Sequence, residues 1–310
     1  MKFAQLSDIH VMPESTCRCW WMPDDPQTLL HQSIEMLNRI PDLDFVVLTG
    51  DLVDGADPWS FEQLKSQLGR LKVPYWASIG NHDFDSEGRR GKLTRPDFIA
   101  WCESQFSFDL APTGYVDYVA SPRPGFKIIG LDASSGRFPQ PQGRIRPPQL
   151  EWLEQVLAAH AQEGILVLIH QPPVASVLFR KYRVLPEESA ALQRVLRSHR
   201  HIIGVLSGHL HVPKVYRRQG IPYLTSPPLV GPVSALRVFE VEQQSEHHLS
   251  MRYDWHFVST AAQSARPLWH GVMMGGRRDR RGQFQILKPA DWPADWPADW
   301  PDSIALVQAI

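Results

Sequence analysis

Five short apolar runs in this chain each end in a cluster of polar residues. The clusters are Asp8-Ile9-His10, Gly50-Asp51, Gly80-Asn81-His82-Asp83, His170 and Gly208-His209-Leu210-His211. The preceding runs are rich in β-branched, aromatic and other apolar residues, which is typical of buried strands. Because open α/β sheets bind ligands outside the carboxyl ends of their strands, the pattern predicts that five strand ends contribute to one site.

Helix-length amphipathic segments alternate with these runs. Strands are predicted at 2–6, 44–48, 75–79, 126–131, 165–169 and 202–206, and helices at 28–39, 59–71, 97–106, 149–161 and 187–199. After His211 the pattern changes to hairpin-like pieces, which predicts antiparallel strands. The chain is therefore of the α/β class, but this pattern alone is compatible with one parallel sheet as well as with two sheets.

The last fifty residues differ from the rest of the chain. The periodicity fades from about Ser259, residues 275–282 are predicted to form a flexible basic loop, and the sequence Ala-Asp-Trp-Pro then occurs three times over 290–301. We expect a domain at 1–258 and a C-terminal extension at 259–310. The repeated tryptophans either bury against a partner subunit or a pocket, or belong to a loosely packed repeat expansion.

Charge and cysteine content exclude several classes of protein. The 310 residues include 32 Lys and Arg against 33 Asp and Glu, so no long-range positive field would attract a nucleic acid polymer or an anionic membrane. Two of the three cysteines, Cys17 and Cys19, are too close in sequence to pair comfortably, which favours free thiols in a reducing compartment. Neither a secretory signal nor a membrane-length apolar run is evident, so we expect a cytoplasmic protein.

The residue types in the five clusters are those of a metal site. Taken singly, each cluster also fits a capped turn or a core histidine, but five of them in order favour metal binding. They supply seven nitrogen and oxygen donors, with His82 to spare: Asp8, His10, Asp51, Asn81, His170, His209 and His211. If Asp51 bridges two ions, each receives four protein ligands and keeps open positions, as a two-metal hydrolytic site requires. Imidazole and carboxylate without thiolate favour Fe, Mn, Zn or Co.

The i and i+2 spacing of two clusters bears on their geometry. Asp8 and His10 are separated in this way, and so are His209 and His211. On an extended backbone this spacing directs both side chains to the same side of the chain. We therefore expect an extended backbone at both clusters.

The order Asp-x-His, Gly-Asp, Gly-Asn-His-Asp, His, Gly-His-x-His resembles the signature of the calcineurin-like metallophosphoesterases. Over about residues 1–240 the chain is most similar to the branch of class III cyclic nucleotide phosphodiesterases and glycerophosphodiesterases, whose Gln-Leu-x-Trp-Leu helix has its counterpart at 149–153. The resemblance implies a four-layer α/β/β/α sandwich of two mixed β-sheets.

The same resemblance implies how the donors are divided. One metal is held by Asp8, His10, Asp51 and His211, and the other by Asp51, Asn81, His170 and His209, with His82 as a catalytic residue. The branch often carries a second histidine after the position matched by His170, whereas this chain has Gln171 there. We expect the surroundings of the metal ligands to differ accordingly.

The expected function is a dinuclear metal-dependent phosphodiesterase that uses a metal-activated hydroxide on small diesters. These are 3',5'-cyclic nucleotides such as cAMP, or glycerophosphodiesters and other alkyl diesters. His82 would stabilise the transferring phosphoryl group or protonate the leaving oxygen, and Asp83 would orient it. The alternatives are a phosphomonoesterase of the same fold and a metal-binding scaffold without catalysis. Similar proteins commonly form homo-oligomers, so we also expect a dimer or a larger assembly.

Substrate contacts are expected from residues in and near the clusters: Asn81, His82, His211, Arg89, Arg90 and Trp20. Trp20 lies in a loop whose aromatic rings either stack on a nucleobase or pack against the body of the protein. Arg89 and Arg90 belong to a loop that either contacts an anionic substrate or is simply a solvated charged segment.

Overall fold

The computed structural model describes residues 1–13, 25–135, 140–175, 177–231, 233–245, 248–258 and 275–287. The strands are β1 (Lys2–Leu6), β2 (Phe45–Thr49), β3 (Tyr75–Ser78), β4 (Asp109–Leu110), β5 (Tyr118–Arg123), β6 (Phe126–Leu131), β7 (Gly164–Ile169), β8 (Ile202–Ser207), β9 (Lys214–Arg218), β10 (Ile221–Thr225), β11 (Ala235–Ser245), β12 (His248–Phe257) and β13 (Gly282–Leu287). The α-helices are α1 (Pro26–Leu37), α2 (Pro58–Leu68), α3 (Arg95–Gln105), α4 (Pro147–Ala159), α5 (Pro186–Arg197) and α6 (Arg277–Arg280). Short 3₁₀ segments cover Arg89–Gly91 and Val177–Tyr182.

Each of the helices α1 to α5 carries proline in its first turn. Proline suits that position because its fixed φ is helical and its missing N–H would have no partner there. Side-chain caps add to this signal: the carboxylate of Asp25 accepts from the backbone N–H of Thr28 at 2.8 Å, and that of Asp57 accepts from Ser60 at 2.9 Å. The helix starts are thus determined locally by the sequence.

The strands form two mixed sheets. The first has the order β13-β12-β11-β1-β2-β3, and the second has the order β4-β5-β6-β7-β8-β10-β9. In the first sheet β1, β2 and β3 are parallel, and in the second β6, β7, β8 and β10 are parallel. The pieces after His211 pair as antiparallel hairpins, β9 with β10 and β11 with β12, as the sequence predicts.

The two sheets pack face to face and helices cover their outer faces. Phe3 and Phe45 from the first sheet and Leu166 and Leu168 from the second belong to one fully buried apolar cluster between the sheets. A second cluster joins the first sheet to α1, α2 and α3, and a third joins the second sheet to α4 and α5. The four-layer α/β/β/α sandwich is therefore confirmed. Within the described ranges, none of the helices has both the length and the apolar character needed to cross a membrane.

Residues 275–287, which were expected to lie in the extension, join the first sheet. The flexible basic loop predicted at 275–282 is instead the short helix α6, and β13 pairs antiparallel with β12. The mostly buried Asp279 accepts hydrogen bonds from the Lys214 side chain and the backbone N–H of Val215, both at 2.9 Å. One acid inside an arginine-rich run thus attaches the segment to β9. The boundary at 258 and 259 stays a prediction, and the Ala-Asp-Trp-Pro repeat lies outside the described residues.

Candidate metal centre

The five polar clusters meet where the carboxyl ends of β1, β2, β3, β7 and β8 converge. Hydrogen bonds connect the strand ends of the two sheets directly. Nδ1 of His170 lies 2.7 Å from the carbonyl oxygen of Thr49, and the Gln5 side chain donates to the carbonyl oxygen of Ser207 at 3.1 Å. The face-to-face packing of the sheets therefore brings together residues up to 203 positions apart, from Asp8 to His211.

Five of the predicted ligands have a left-handed backbone. The φ angles are +53° at Asp8, +50° at His10, +49° at Asp51, +71° at His209 and +51° at His211. Such angles are rare outside glycine and cost about 1–3 kcal/mol each, so they persist where the surrounding structure imposes them, and they cluster at functional sites. The extended backbone expected at the two i, i+2 clusters is therefore wrong, because the chain turns sharply at each of these ligands.

Glycines in the motifs make room for the donors. A Cβ atom at Gly208 would collide with the Ser7 hydroxyl and the Asp8 carboxylate, and one at Gly80 would collide with the backbone N and the carboxylate of Asp51. Glycine is thus required at both positions because a neighbouring strand end approaches too closely for any side chain. This lack of space explains why the motifs Gly-Asn-His-Asp and Gly-His-x-His each begin with glycine.

The charged and imidazole donors predicted from the sequence form two groups, and Asp51 of one group lies close to the other. Asp8, His10 and His211 present ligand atoms that all lie within 4.8 Å of one another, and so do Asp51, His170 and His209. Oδ2 of Asp51 lies 3.0 Å from Nε2 of His170 in its own group and 3.8 Å from Nε2 of His10 in the other. This central position is the one expected of a bridging carboxylate.

Three of the donors have protonation states that suit metal ions in the metal-free protein. Burial lowers the pKa of His10 to about 4 and that of His209 to about 3, so both rings are neutral and able to bind a cation. Burial alone would raise the pKa of Asp8, but the neighbouring His211 outweighs it and lowers the pKa to about 2. Asp8 is therefore a carboxylate.

For a fourth donor, His170, burial disfavours the charged ring, but Asp51 outweighs it and raises the pKa to about 9. Within the described part of the chain, the buried Nε2 atom of His209 has no hydrogen-bond partner, and that of His170 has the Asp51 carboxylate 3.0 Å away. An unpartnered buried nitrogen is costly unless it has a ligand, so the donor set fits two metal ions.

Asn81, the remaining predicted ligand, lies beside this group. Its side chain is buried, and its Oδ1 accepts a hydrogen bond from Nε2 of Gln171 at 3.2 Å. Gln171 is itself fully buried and also lies within 3.4 Å of the Ser134 hydroxyl. The residue at which this chain departs from the branch therefore contacts one of the predicted ligands directly.

His82 is oriented by a residue that the sequence analysis missed. Its Nδ1 lies 2.6 Å from Oδ1 of Asp54, while its Nε2 lies 4.0 Å from the Asp51 carboxylate. Burial disfavours the charged ring, but Asp51 and Asp54 outweigh it and raise the pKa of His82 to about 9. Asp54 follows Asp51 by three residues in the segment Gly50-Asp51-Leu52-Val53-Asp54. This closeness to a predicted ligand was the sequence signal that could have identified Asp54 as a site residue.

The role predicted for Asp83 is therefore wrong. Its fully buried carboxylate accepts from the backbone N–H groups of Leu52 at 2.6 Å, Val53 at 3.0 Å and Gly80 at 2.7 Å. Burial and the nearby Asp51 raise its pKa to about 7. Asp83 joins the two loops that carry the ligands, and Asp54 orients His82. Adjacency in sequence pointed to the wrong acid, because the Asp83 carboxylate is bound by the backbone N–H groups of the two loops.

Substrate contacts predicted outside the clusters gain no support. Arg89 pairs with Asp85 of its own loop at 2.8 Å, and the side chains of Arg90 and Trp20 lie outside the described residues. Arg95 from the same basic stretch pairs with Asp132 at 2.6 Å. The expectation of substrate contacts from Arg89, Arg90 and Trp20 stays a prediction.

The chain is similar to several known proteins. A family model described as calcineurin-like phosphoesterase matches residues 1–213. A cAMP/cGMP dual specificity phosphodiesterase of Mycobacterium tuberculosis is 33% identical over 64% of this chain, and the match spans 58% of that protein. A probable glycerophosphodiester phosphodiesterase of Arcobacter nitrofigilis is 26% identical over 68% of this chain and 72% of its own length. A dimetal phosphatase of Danio rerio shares the fold, with a TM-score of 0.68 at 19% identity over 93% of this chain and 99% of that one.

Proposed function

The chain belongs to the calcineurin-like phosphoesterase family, and from this we propose that it is a dinuclear metal-dependent phosphodiesterase that hydrolyses small phosphodiesters. The observation that carries the proposal is the pair of donor groups meeting at Asp51, with the His82–Asp54 pair beside them. The names of the mycobacterial and Arcobacter relatives support two substrate classes, cyclic nucleotides and glycerophosphodiesters.

One ion would be held by Asp8, His10 and His211, and the other by Asn81, His170 and His209. Asp51 would contact both ions. Nitrogen and oxygen donors without thiolate suit Fe, Mn, Zn or Co. When bound, two such ions supply Lewis acidity at phosphoryl oxygens and activate water at neutral pH. Seven donors at these positions, with none replaced by an apolar residue, favour this reading over a metal-binding scaffold.

His82 would act on the transferring phosphoryl group. Asp54 lies 2.6 Å from Nδ1, and Nε2 of the ring lies on the side of the centre, 4.0 Å from the Asp51 carboxylate. A donor placed there can stabilise a phosphoryl oxygen or protonate the leaving alkoxide, a contribution of about 10²- to 10⁴-fold. Asn81 and His211 lie in the same centre, and we propose that both also contact the substrate.

Comparing a diester with the matching monoester tests this function against a phosphomonoesterase of the same fold. The metal-free protein is reconstituted with Mn or Fe, and hydrolysis of bis(p-nitrophenyl) phosphate is compared with that of p-nitrophenyl phosphate. We expect the higher kcat/KM for the diester. A preference for the monoester would favour the phosphomonoesterase, and full metal occupancy without turnover of either compound would favour the scaffold.

A cytoplasmic location and a homo-oligomeric state remain part of the proposal as expectations from the sequence. Cys102 is a free, buried thiol, which is compatible with a reducing compartment. The near-zero net charge favours a small diester over a nucleic acid polymer, because it provides no extended basic surface.

A further inference from the structure

Tyr182 places an exposed aromatic ring next to the metal centre. Its ring centroid lies 6.2 Å from that of His209, with an angle of 51° between the ring planes. The residue is 47% exposed, and in the described part of the chain only Trp59 and Leu110 are other large apolar residues with comparable exposure. Tyr182 is therefore a solvent-facing neighbour of a proposed metal ligand, and the chemistry described above does not use it.

The backbone after Tyr182 is anchored to the loop that carries His170. The N–H of Val184 donates to the carbonyl oxygen of Pro172 at 3.2 Å, and the carbonyl oxygen of Arg183 accepts from Gly143 at 3.1 Å. A single β-bridge also joins Val184 to Gly143. Because Pro172 follows His170 by two residues, these bonds attach the backbone next to Tyr182 to the segment that carries a proposed metal ligand.

Positive charge accompanies the ring. Arg180 and Lys181 immediately precede Tyr182 and are exposed as well. An exposed aromatic ring in a segment that also carries two exposed cations suits a ligand that combines a flat ring with a phosphate. A cyclic nucleotide has both features, whereas a glycerophosphodiester with an alkyl head group has only the phosphate.

We propose that Tyr182 determines substrate specificity by stacking on the base of a cyclic nucleotide whose phosphate is held at the metal centre. This inference rests on the proposed phosphodiesterase function and deepens it, because it selects the nucleotide among the possible small diesters. The tyrosine ring can serve any purine, since base stacking on an aromatic ring depends little on the base's hydrogen-bonding groups.

The test compares Tyr182→Ala and Tyr182→Phe with Trp59→Ala, which removes a similarly exposed aromatic from helix α2. The full chain is loaded with Mn, its metal content is measured, and kcat/KM is determined for cAMP and for glycerophosphocholine. We expect Tyr182→Ala to lower kcat/KM for cAMP about 5- to 150-fold, mainly through KM, which is the range for loss of one base–aromatic stack. Tyr182→Phe and Trp59→Ala should stay near the unmodified protein, and glycerophosphocholine turnover should hardly change.

Equal losses for both substrates, or no loss for cAMP, would overturn the role of Tyr182 while leaving the phosphodiesterase function intact. If turnover is absent, calorimetric binding of AMP and of glycerol 3-phosphate to the Mn-loaded protein tests the role of Tyr182 separately from the phosphodiesterase function. Failure of the unmodified protein to hydrolyse any diester would contradict the proposed function. The stacking role would then stand only if Tyr182→Ala weakened AMP binding selectively, and equal weakening of both ligands, or none, would overturn it.

Discussion

Nδ1 of His82 lies 2.6 Å from Oδ1 of Asp54, so a carboxylate outside the predicted ligand set orients the ring that faces the metal centre. The opposite nitrogen, Nε2, is directed to the side on which the Asp51 carboxylate lies. Asp54 also approaches Nδ1 of His10 to 4.0 Å. This acid therefore connects one proposed ligand with the proposed proton donor, and several predictions depend on it.

Asp54→Asn should lower the pKa of His82 in the metal-free protein from its value of about 9, because Asp54 contributes both a hydrogen bond and a negative charge that favour the charged ring. NMR titration of the His82 ring measures the change. Turnover should fall most for diesters with poor leaving groups, which need a proton donor, and least for p-nitrophenyl esters. Equal losses for both kinds of leaving group would contradict proton donation by His82.

The same pair predicts how the stability of the metal-free protein depends on pH. The pKa of His82 is raised from 6.5 to about 9 in the folded state, so the folded state binds the proton more tightly than the unfolded state does. The stabilisation from this group is fully present below pH 6.5 and is lost as pH rises through about 9. Urea unfolding between pH 6 and pH 10 should show this loss in the unmodified protein and a smaller one in Asp54→Asn. Identical pH profiles for the two proteins would contradict it.

Asp83→Ala should lower the free energy of unfolding of the metal-free protein by about 2–4 kcal/mol, because three backbone N–H groups lose their buried acceptor. Urea unfolding checks this value. Asp54→Ala, which removes a partly exposed carboxylate, serves as the matched control and should cost less stability. If Asp83→Ala left stability unchanged and instead shifted the pKa of His82 as strongly as Asp54→Ala does, the roles assigned to the two acids would be reversed.

Gln171→Leu should weaken one of the two metal sites by about 10- to 100-fold, the usual effect of removing a group that orders a metal ligand. Gln171 donates to Oδ1 of Asn81, the proposed ligand atom, and leucine has similar size without the donor. Calorimetric titration of Mn into the metal-free protein measures the affinity. Gln193→Leu removes a glutamine that bonds to Ser189 on helix α5 and is the control. Loss of affinity at both sites alike would argue against a specific effect on Asn81.

Gly208→Ala should reduce metal binding, because the new methyl group would collide with the Ser7 hydroxyl and the Asp8 carboxylate. Gly204→Ala, on the strand β8 that precedes Gly208, is a matched control, since its Cβ would lie 3.6 Å from the nearest atom, which is an ordinary contact. Metal content and circular dichroism of both variants separate a local displacement of Asp8 from general misfolding. Normal metal content in Gly208→Ala would show that Asp8 can shift without loss of its role.

The sequence predicted the strand ends and the donors they carry, because buried strands and the polar residues that follow them are local patterns. The pairing of His82 with Asp54 was missed because it depends on how two loops approach each other, and sequence adjacency favoured Asp83 instead. The number of sheets came from family resemblance, since a run such as Ile165 to Ile169 is buried whether a helix or another sheet covers it. The segment 275–282 was predicted to be a loop because arginines dominate it. The prediction could not include the contacts of Asp279 with Lys214 and Val215, which attach this segment to the sheets.

Titration of Mn into the metal-free protein, with hydrolysis of bis(p-nitrophenyl) phosphate followed at each addition, tests the dinuclear phosphodiesterase most directly. Asp51 lies between both donor groups, so the same titration with Asp51→Ala reports on the shared ligand. We predict that diester hydrolysis rises until two ions are bound per chain and is lost in Asp51→Ala together with tight binding of both ions. Full activity with one ion per chain, or an unchanged titration in Asp51→Ala, would contradict the account.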